Sequence, residues 1–389
     1  MKIFDVVIVG AGLAGLQCAK TLSAAGAKVL LVDRKTALDE GVHTTGIFVR
    51  KTLEDFAIPA DCLGKAVRHV SLYSPARKVL NLQSSHDEFR VGKMGKLYQR
   101  FLEDCLEHGI EYRGGTRYAG IKRSGTETIV KFENPGKSWT VKTRVIIGAD
   151  GANSKIARDL GLDENKEWIV GFEEVYRGVP PGDEPRLHCF LDAKLAPGYL
   201  AWVTNDGEDV HIGVGGYAAK FNPREALLKF KEKIGNSIVD LTKAELVETR
   251  GGRIPVGGIL SRIANERGLL IGDAAGAVSP LTAGGLDPCL RLSTIAANVV
   301  LASLKAGEPE ILQSYSGDLF RARFVSRIWM RRVLAAMNNQ TLLELGCMAM
   351  RLPILRSFAA HVFFGRGSFP DDVKLLEIES RKTLKIAYK

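Results

Sequence analysis

Three glycines and an acidic residue near the N-terminus have the spacing of a dinucleotide-binding motif. Residues 4–9 form a short β-branched run, and Gly10-Ala11-Gly12-Leu13-Ala14-Gly15 follows it directly. A helix-favouring stretch then extends to Gly26, and a second apolar run, residues 28–32, ends at Asp33. This order of strand, glycine turn, helix and strand predicts a βαβ unit whose helix N-terminus presents free amides and a positive dipole end to a pyrophosphate.

Each of these residue types has a physical role in such a unit. Gly10 permits the tight turn, Gly12 lets a pyrophosphate approach the backbone, and Gly15 lets the helix pack closely on the strand. Asp33, at the end of the second strand, can accept hydrogen bonds from ribose hydroxyls and disfavours a 2′-phosphate, which favours NAD or FAD over NADP. The alternative is a glycine turn that serves only strand–helix packing, but here the full context of the motif is present.

Two later segments repeat the pattern of a buried strand that ends in an acid. Residues 144–150 (RVIIGAD) run into Gly151, which suggests either a ligand-facing acid at a strand end or a capped turn. Residues 268–276 (GLLIGDAAG) carry Gly272-Asp273, and a loop with Pro280 and Gly284-Gly285 precedes an apolar helix predicted over residues 289–304. An ordinary loop between strand and helix is the alternative for this third segment.

The three segments together resemble the flavoprotein family that includes aromatic hydroxylases of the para-hydroxybenzoate hydroxylase type, flavin-dependent halogenases and geranylgeranyl reductases. The resemblance extends from Phe4 to about Leu304. It implies an FAD-dependent oxidoreductase in which the first motif holds the ADP half, Asp150 and Gly151 lie near the pyrophosphate, and Asp273 binds the ribityl chain. Pro280, Gly284 and Gly285 would border the isoalloxazine ring, and Arg100 would help neutralise the diphosphate. The predicted cofactor-binding residues are Gly10, Gly12, Leu13, Ala14, Gly15, Asp33, Arg34, Thr45, Arg100, Asp150, Gly151, Gly272, Asp273, Pro280, Gly284, Gly285 and Leu286.

Several details favour the geranylgeranyl reductase branch of this family. Gly276 stands where the hydroxylases usually carry histidine, and residues 280–285 (PLTAGG) resemble the reductase pattern. Residues 197–202 (PGYLAW) resemble the aromatic segment of the reductases. Residues 42–46 depart from that branch, because archaeal reductases often present a cysteine there. The predicted function is FAD-dependent reduction of carbon–carbon double bonds in a hydrophobic substrate such as a prenylated one. The alternatives are an FAD monooxygenase of an aromatic or lipophilic substrate and a non-catalytic flavin-binding electron-relay module.

The sequence indicates only a few residues that could take part directly in the reaction or contact the substrate. His43 is the candidate proton donor by position, and Thr45 is a second catalytic candidate. Tyr199 and Trp202 are candidate substrate contacts on a predicted antiparallel sheet, although aromatic side chains on strands also serve as core. No second GxGxxG motif is present, so the electron donor is left open between NAD(P)H and ferredoxin.

The predicted fold class is α/β, with a Rossmann-like FAD-binding domain built on a discontinuous parallel sheet. Period-two patterning between residues 167 and 216 predicts an inserted antiparallel substrate domain, and a helical basic region follows at the C-terminus. The predicted segments are 1–75, 97–165 and 253–310 for FAD binding, 76–96 and 166–252 for the substrate domain, and 311–389 for the C-terminal region.

Length, composition and cysteine spacing disfavour several other classes of protein. A length of 389 residues suggests two joined domains, and 46% hydrophobic with 25% charged residues disfavours long disorder and a multi-span membrane protein. The six cysteines show no metal-binding spacing, and residues 4–9 are too short for a signal core, so no metal is predicted and a cytoplasmic location is expected.

Charge is concentrated near the C-terminus of the chain. Residues 321–389 contain 13 Lys or Arg and 5 Asp or Glu, a net of +8 within a formal total of +10. Arg323, Arg327 and Arg331 recur every four residues and predict a basic amphipathic helix. This helix would either contact an anionic membrane or pack its apolar side on the core. Nucleic acid is not a predicted partner, because no binding motif accompanies the charge.

Overall fold

The computed structural model describes residues 1–180, 184–337 and 339–365 of the chain. In this part of the chain the strands are β1 (Ile3–Val9), β2 (Val29–Val32), β3 (Ile47–Val49), β4 (Leu63–Val67), β5 (His69–Tyr73), β6 (Val79–Leu82), β7 (Phe89–Gly92), β8 (Glu111–Arg113), β9 (Arg117–Ser124), β10 (Glu127–Asn134), β11 (Lys137–Gly148), β12 (Trp168–Arg177), β13 (Arg186–Phe190), β14 (Ala201–Asn205), β15 (Asp209–Gly216), β16 (Glu245–Pro255), β17 (Ala264–Asn265) and β18 (Gly268–Leu270). Its α-helices are α1 (Leu13–Ala24), α2 (Arg50–Asp55), α3 (Met94–Glu107), α4 (Lys155–Leu160), α5 (Pro223–Ile238), α6 (Leu286–Ala306), α7 (Gly317–Arg321), α8 (Val325–Ala336), α9 (Gln340–Ala349) and α10 (Pro353–Phe364).

The first sheet has its strands in the order β17-β18-β11-β1-β2-β8, and β9 and β10 extend it as an antiparallel arm on β11. The pairs from β18 to β8 are parallel, and the register sets Val9 beside both Gly148 and Val32, and Gly148 beside Leu270. Strands such as β2 are buried at every position, as parallel strands covered on both faces are. The residues that follow these strand ends therefore meet at one edge of the sheet, as the predicted fold class requires.

The second sheet has the order β16-β12-β15-β14-β13-β5-β6. Helix α5 covers part of one face, where Phe230 packs with Ile212 and Val214. The alternating burial of β12 agrees with the predicted antiparallel substrate domain. One pair differs, because β13 and β5 run parallel.

The β5–β6 hairpin also shows where the predicted segment boundaries differ from the structure. Position 76 divides this hairpin, which starts at His69 and belongs entirely to the second sheet. Strand β7, inside the predicted segment 76–96, instead pairs with β3 and β4 in a separate three-stranded sheet. Strand β16 continues past position 252 to Pro255. The boundaries depend on pairing between distant strands, which leaves no local pattern in the sequence.

Helices α7 to α10 lie in the described part of the predicted C-terminal region, and the part beyond residue 365 lies outside the described residues. Leu343 and Cys347 of α9 and Ala359 of α10 are buried against residues of β5 and β6 such as Val70 and Leu82. These helices therefore rest on the far end of the second sheet. Their position lets them close one end of the space between the two sheets.

Candidate functional site

A cavity of about 1470 Å³ lies between the two sheets. Its wall combines the carboxyl edge of the first sheet, one face of the second sheet, and helices α8 to α10. A pocket for one drug-sized ligand measures roughly 300–1,000 Å³. The cavity therefore has room for a large ligand at the sheet edge and a second ligand between the sheet face and the helices.

The glycine turn after β1 adopts the geometry that its sequence predicts. Gly10 has φ +109°, and a Cβ there would overlap the carbonyl oxygen of Ala149 at the end of the neighbouring strand. A Cβ on Gly15 would overlap the carbonyl oxygen of Gly10, so this glycine permits the close approach of α1. A Cβ on Gly12 would meet no atom within 4 Å, because Gly12 faces the cavity. The first turn of α1 thus presents its amides to open space.

Asp33 lies at the cavity edge and orients the glycine turn. Its Oδ2 accepts a hydrogen bond from the Ala11 amide at 2.7 Å, and its Oδ1 accepts one from the Lys35 amide at 2.8 Å. Each carboxylate oxygen has a second lone pair available for a ligand hydroxyl. Asp33 can therefore hold the turn in place and contact a ribose at the same time.

Asp150 lines the cavity but also caps a helix. Its Oδ1 accepts a hydrogen bond from Ser154 Oγ at 2.6 Å, and its Oδ2 accepts one from the Lys155 amide at 2.7 Å, at the start of α4. The pKa of this carboxyl is raised by burial. The capped turn considered for this segment is thus present, and Asp150 shapes the loop that carries Gly151 into the cavity wall.

Asp273 occupies the most unusual electrostatic position of the site. Burial raises the pKa of its carboxyl to about 6. Its Oδ1 lies 3.8 Å from the position that a Cβ on Gly285 would take, next to the N-terminus of α6. None of the hydrogen bonds within the described part of the chain engages this carboxylate. A partly buried acid that lines the cavity and has no internal donor suits a ligand that brings its own hydroxyl groups.

His43 and Thr45 both line the cavity beside the second sheet. Burial and the nearby Lys35 lower the pKa of His43, so its imidazole is neutral at neutral pH and is a poor store for a proton. The Thr45 hydroxyl donates a hydrogen bond to the carboxylate of Glu173. The catalytic roles of both residues stay predictions.

Tyr199 and Trp202, the two candidate substrate contacts, also line the cavity. The Tyr199 hydroxyl donates to the carbonyl oxygen of Thr282 at 2.6 Å, and the Trp202 indole donates to Glu173 Oε2 at 2.8 Å. Their polar atoms are therefore engaged by the protein, and their rings offer apolar surface to the cavity.

Most residues predicted from the sequence meet at this cavity. Those in its wall are Gly10, Gly12, Leu13, Ala14, Asp33, Arg34, His43, Thr45, Asp150, Gly151, Tyr199, Trp202, Gly272, Asp273, Gly284, Gly285 and Leu286. Gly15 packs behind the turn, and Pro280 lies just outside the wall while Ser279 and Leu281 are part of it.

Arg100 is not brought to the cavity. Helix α3 buries Leu97 and Phe101, which turns Arg100 to the surface, where it pairs with Asp61 at 3.5 Å and Glu103 at 3.7 Å. The prediction that it neutralises a diphosphate does not fit this position, because the side chain lies on the solvent side of the helix.

The second sheet also carries a patch without side chains, here called the glycine patch, that was not predicted from the sequence. Gly252 of β16, Gly171 of β12 and Gly215 of β15 lie directly opposite one another across three strands. Gly171 and Gly252 line the cavity, and Trp202 and Tyr199 lean over the neighbouring glycines Gly213 and Gly215. The missing side chains leave room for a ligand above the strands. The sequence shows Gly171 and Gly215 within the segment of period-two patterning, but their alignment with Gly252 depends on strand pairing.

Two of the three arginines of α8 do not lie on a solvated basic face. Arg331 is 1% exposed, donates to the Gly198 carbonyl oxygen at 2.8 Å, and lies over the rings of Tyr199 and Tyr217. Arg327 lines the cavity and donates to Ser279 Oγ at 3.0 Å. Three apolar side chains of the same helix face outward instead, namely Val325, Val333 and Trp329, which is 63% exposed. Contacts with the aromatic rings and the cavity loop decide this orientation.

The residues at the sheet edge fit FAD. The open space at Gly12 and the free amides of α1 suit a diphosphate, and the acceptor Asp273 in the cavity wall suits a polyol chain farther along. Comparison with known proteins agrees with this chemistry, since the model of the FAD binding domain matches residues 4–331.

Relatives of known name cover most of the chain. The digeranylgeranylglycerophospholipid reductase 1 of Methanothermobacter thermautotrophicus is 30% identical over 326 residues, which are 78% of this chain and 78% of that protein. The digeranylgeranylglycerophospholipid reductase of Methanocaldococcus jannaschii is 27% identical over 354 residues, which are 87% of this chain and 89% of that protein.

Solved structures share the fold at lower identity. A geranylgeranyl bacteriochlorophyll reductase-like protein from Thermoplasma acidophilum has a TM-score of 0.83 at 21% identity and covers 97% of this chain and 99% of its own. A flavin-dependent brominase has a TM-score of 0.70 at 16% identity and covers 98% of this chain and 100% of its own. The chain belongs to the FAD-binding domain family and is an FAD-dependent oxidoreductase of the geranylgeranyl reductase-like group of flavoproteins.

Proposed function

We propose that this protein reduces carbon–carbon double bonds in a long isoprenoid chain carried by a lipid. The observation that supports this most directly is the apolar part of the cavity. On the side of the C-terminal helices its wall includes Met330, Leu334, Met337, Met350, Phe363 and Phe364. Such a wall offers dispersion contacts and few hydrogen-bonding groups, which suits a branched hydrocarbon chain.

In this proposal the polar end of the cavity holds the cofactor. Gly10 to Ala14 and Asp33 would bind the ADP half, the loop at Asp150 and Gly151 would adjoin the diphosphate, and Asp273 would accept hydrogen bonds from the ribityl chain. Reduced FAD in this position would supply a hydride to one alkene carbon. Gly284, Gly285 and Leu286 would lie beside the ring, and the donor that reduces it would be NAD(P)H or a ferredoxin.

An anaerobic half-reaction tests the proposed function. The purified protein is reduced with dithionite and mixed without oxygen with a lipid that carries geranylgeranyl chains, and a saturated phytanyl lipid serves as the control. We expect the flavin absorbance to return only with the unsaturated lipid, whose product gains two hydrogen atoms per reduced bond by mass spectrometry. NADH, NADPH and reduced ferredoxin are then compared as reductants.

Other outcomes of this experiment support the alternative functions. Reoxidation that requires oxygen and adds an oxygen atom to the substrate would identify a monooxygenase, for which the fold shared with the brominase leaves room. A flavin whose redox state responds to none of the lipids or donors would identify a binding module.

We also propose that the outer surface of α8 to α10 rests on an anionic membrane. This surface, here called the apolar ridge, is defined by the exposed side chains Val325, Trp329, Val333, Leu342, Leu345, Met348, Leu352, Ile354, Leu355 and Phe358. Arg332, Arg351 and Arg356 are exposed on the same helices, and Glu344 is the one acid among residues 321–365, so cations accompany the apolar side chains. This combination suits the interface of a bilayer with anionic lipids.

Two residues of the ridge also belong to the cavity. Trp329 and Phe358 are exposed and line the cavity wall, and from this we infer that a lipid chain enters the cavity from the side of the ridge. One helix of the described residues, α6, has the length and composition of a membrane span, but 61% of its apolar window is buried inside the protein. Helices α9 and α10 reach that composition together, with a bend of 100° between them. The proposal is therefore contact with the bilayer surface.

Substitution of two ridge residues tests the membrane contact. We expect Trp329→Ser combined with Ile354→Ser to lower flotation with anionic liposomes at least about tenfold, because each buried side chain contributes roughly 1.5–3 kcal/mol. Leu228→Ser is the control, since Leu228 is similarly exposed on α5, away from the ridge. Equal flotation of the ridge variant and the wild type would contradict the proposal. Arg331 is unsuitable for this test because its substitution would disturb a buried contact.

A further inference from the structure

A cluster of buried charged groups lies in the second sheet at the wall of the cavity. Its centre is Glu173 of β12, which is 3% exposed. Oε2 of Glu173 accepts hydrogen bonds from the Thr45 hydroxyl and, at 2.8 Å, from the Trp202 indole. Oε1 lies 3.3 Å from Nδ1 of His211. A residue predicted to be catalytic and one predicted to contact substrate therefore converge on a single carboxylate.

The cluster continues away from the cavity through His211 to a turn. Nε2 of His211 lies 3.4 Å from Oδ2 of Asp206, in the turn between β14 and β15. Asp206 Oδ1 accepts hydrogen bonds from the amides of Glu208 and Asp209 in the same turn, and the side chain of Glu208 is exposed. Glu173, His211 and Asp206 thus form a continuous row from the cavity wall to the turn between β14 and β15. Glu208 of the same turn is exposed to solvent.

The charges along this row alternate. Burial lowers the pKa of His211, but its hydrogen bonds with Asp206 and Glu173 outweigh that effect and bring the pKa to about 9. Burial raises the pKa of Glu173, but His211, Thr45 and Arg250 hold it below its usual value. At neutral pH an imidazolium therefore lies between two carboxylates, with a proton on the nitrogen that faces Glu173.

Other charged groups around Glu173 come from neighbouring strands and from the loop before β3. Arg250 of β16 approaches Glu173 Oε1 at 3.5 Å and also binds Glu248 at 2.6 Å and the Thr44 carbonyl oxygen at 3.1 Å. The guanidinium of Arg250 therefore partly neutralises the negative charge of the Glu173 and Glu248 carboxylates. Tyr98 is close enough to Arg250 to affect its pKa and is itself partly buried. No hydrogen bond links Tyr98 to Glu173 among the described residues, so His211 is the proton source that Glu173 contacts.

We propose that Glu173 donates the proton that completes alkene reduction and that His211, with Asp206 behind it, restores that proton. This inference rests on the proposed function. As one alkene carbon receives the hydride and its electron pair, the other carbon takes the proton of the Glu173 carboxyl. The proton on Glu173 comes from Nδ1 of His211, which leaves a neutral imidazole whose Nε2–H stays on Asp206. Nδ1 regains a proton from solvent, through Glu173, once the product has left the cavity. Each bond reduced thus uses one hydride and one solvent proton.

Substrate binding provides a physical reason for the proton to move. An apolar chain over the glycine patch would displace water from the wall at Glu173 and raise the pKa of its carboxyl. The proton would then shift along the hydrogen bond from His211 before the reaction. A cluster with only a structural role is the alternative, because buried ion pairs are weak evidence for stability or function by themselves.

Glu173→Gln, with Glu174→Gln as its matched control, separates these roles. Glu174 is adjacent on the same strand, but its side chain binds Lys231 at 2.6 Å and Tyr176 at 2.5 Å instead of joining the cluster. We expect Glu173→Gln to retain FAD and to be reduced by dithionite at the wild-type rate. Its anaerobic reoxidation by the unsaturated lipid should be about 10²- to 10⁴-fold slower, the usual range for loss of a general acid. The control should reoxidise at the wild-type rate.

A readout that does not depend on turnover tests the row of charges itself. The indole N–H signal of Trp202, assigned in tryptophan-labelled protein by its loss in Trp202→Phe, should titrate near pH 9 as His211 loses its proton. This step should be absent in His211→Gln. The rate of reoxidation by the lipid should fall above the same pH in the wild type only.

Three results would overturn the inference in distinguishable ways. Reoxidation of Glu173→Gln within about threefold of the wild-type rate, with an active wild type, would remove the proton role and leave the proposed function intact. A Trp202 signal without a step that depends on His211 would remove the proton store. Failure of the wild type to transfer electrons to any alkene would remove the proposed function and this role together.

Discussion

Gly12→Val should fold like the apoprotein and purify without flavin. A side chain at this position meets no protein atom within 4 Å, and the φ and ψ of Gly12, −74° and −177°, are open to any residue. The added atoms would project from the first turn of α1 into the space proposed for the diphosphate. We expect FAD affinity to fall at least about 100-fold, a loss of roughly 3 kcal/mol, while the melting temperature matches that of wild-type protein stripped of FAD. Flavin absorbance and thermal unfolding provide the two measurements.

Gly15→Val is the contrasting variant for this prediction. Its side chain would overlap the carbonyl oxygen of Gly10, so α1 would have to move away from β1. We expect a loss of stability of about 3 kcal/mol or more together with loss of flavin. A Gly12→Val protein that remains fully yellow would contradict the proposed place of the diphosphate, whatever Gly15→Val does.

Asp273→Asn should stabilise the apoprotein at neutral pH and weaken its hold on FAD. Burial raises the pKa of Asp273 from its usual range to about 6, so the folded apoprotein binds a proton between about pH 4 and pH 6 that the unfolded chain has released. Stability of the wild-type apoprotein therefore falls as pH rises through this window, by up to about 3 kcal/mol, and stays lower above pH 6. An uncharged amide removes this effect.

Denaturant titrations of FAD-free protein at pH 4 and pH 7 would measure the difference. We expect the free energy of unfolding of Asp273→Asn to change less between these two pH values than that of the wild type. The affinity for FAD should drop about tenfold, because a charged acceptor is replaced by a neutral one. Identical pH dependence in the two proteins would show that the pKa of Asp273 is not raised in the folded apoprotein. Unchanged FAD affinity would remove the proposed role of Asp273 toward the ribityl chain.

Local patterns in the sequence determined the nucleotide-binding half of the site. The turn at Gly10, the acid at Asp33 and the later acids Asp150 and Asp273 all follow predicted strands. Parallel strands bring their carboxyl ends to one edge, so these segments had to meet once the strand directions were known. The fold class followed from the same spacing because glycine turns and buried strands are short-range features.

Only the tertiary structure decided the other half of the site and the outer surface. Glu173 and His211 become neighbours through strand pairing, and neither has a sequence pattern that indicates chemistry. Helix α8 has an arginine stripe and an apolar stripe, and the helical period alone does not say which one faces inward. The guanidinium of Arg331 packs over the rings of Tyr199 and Tyr217, and this contact turns Trp329 to solvent. Charge and hydrophobicity thus identify the two faces of a helix, but the contacts available in the folded protein determine which face is buried.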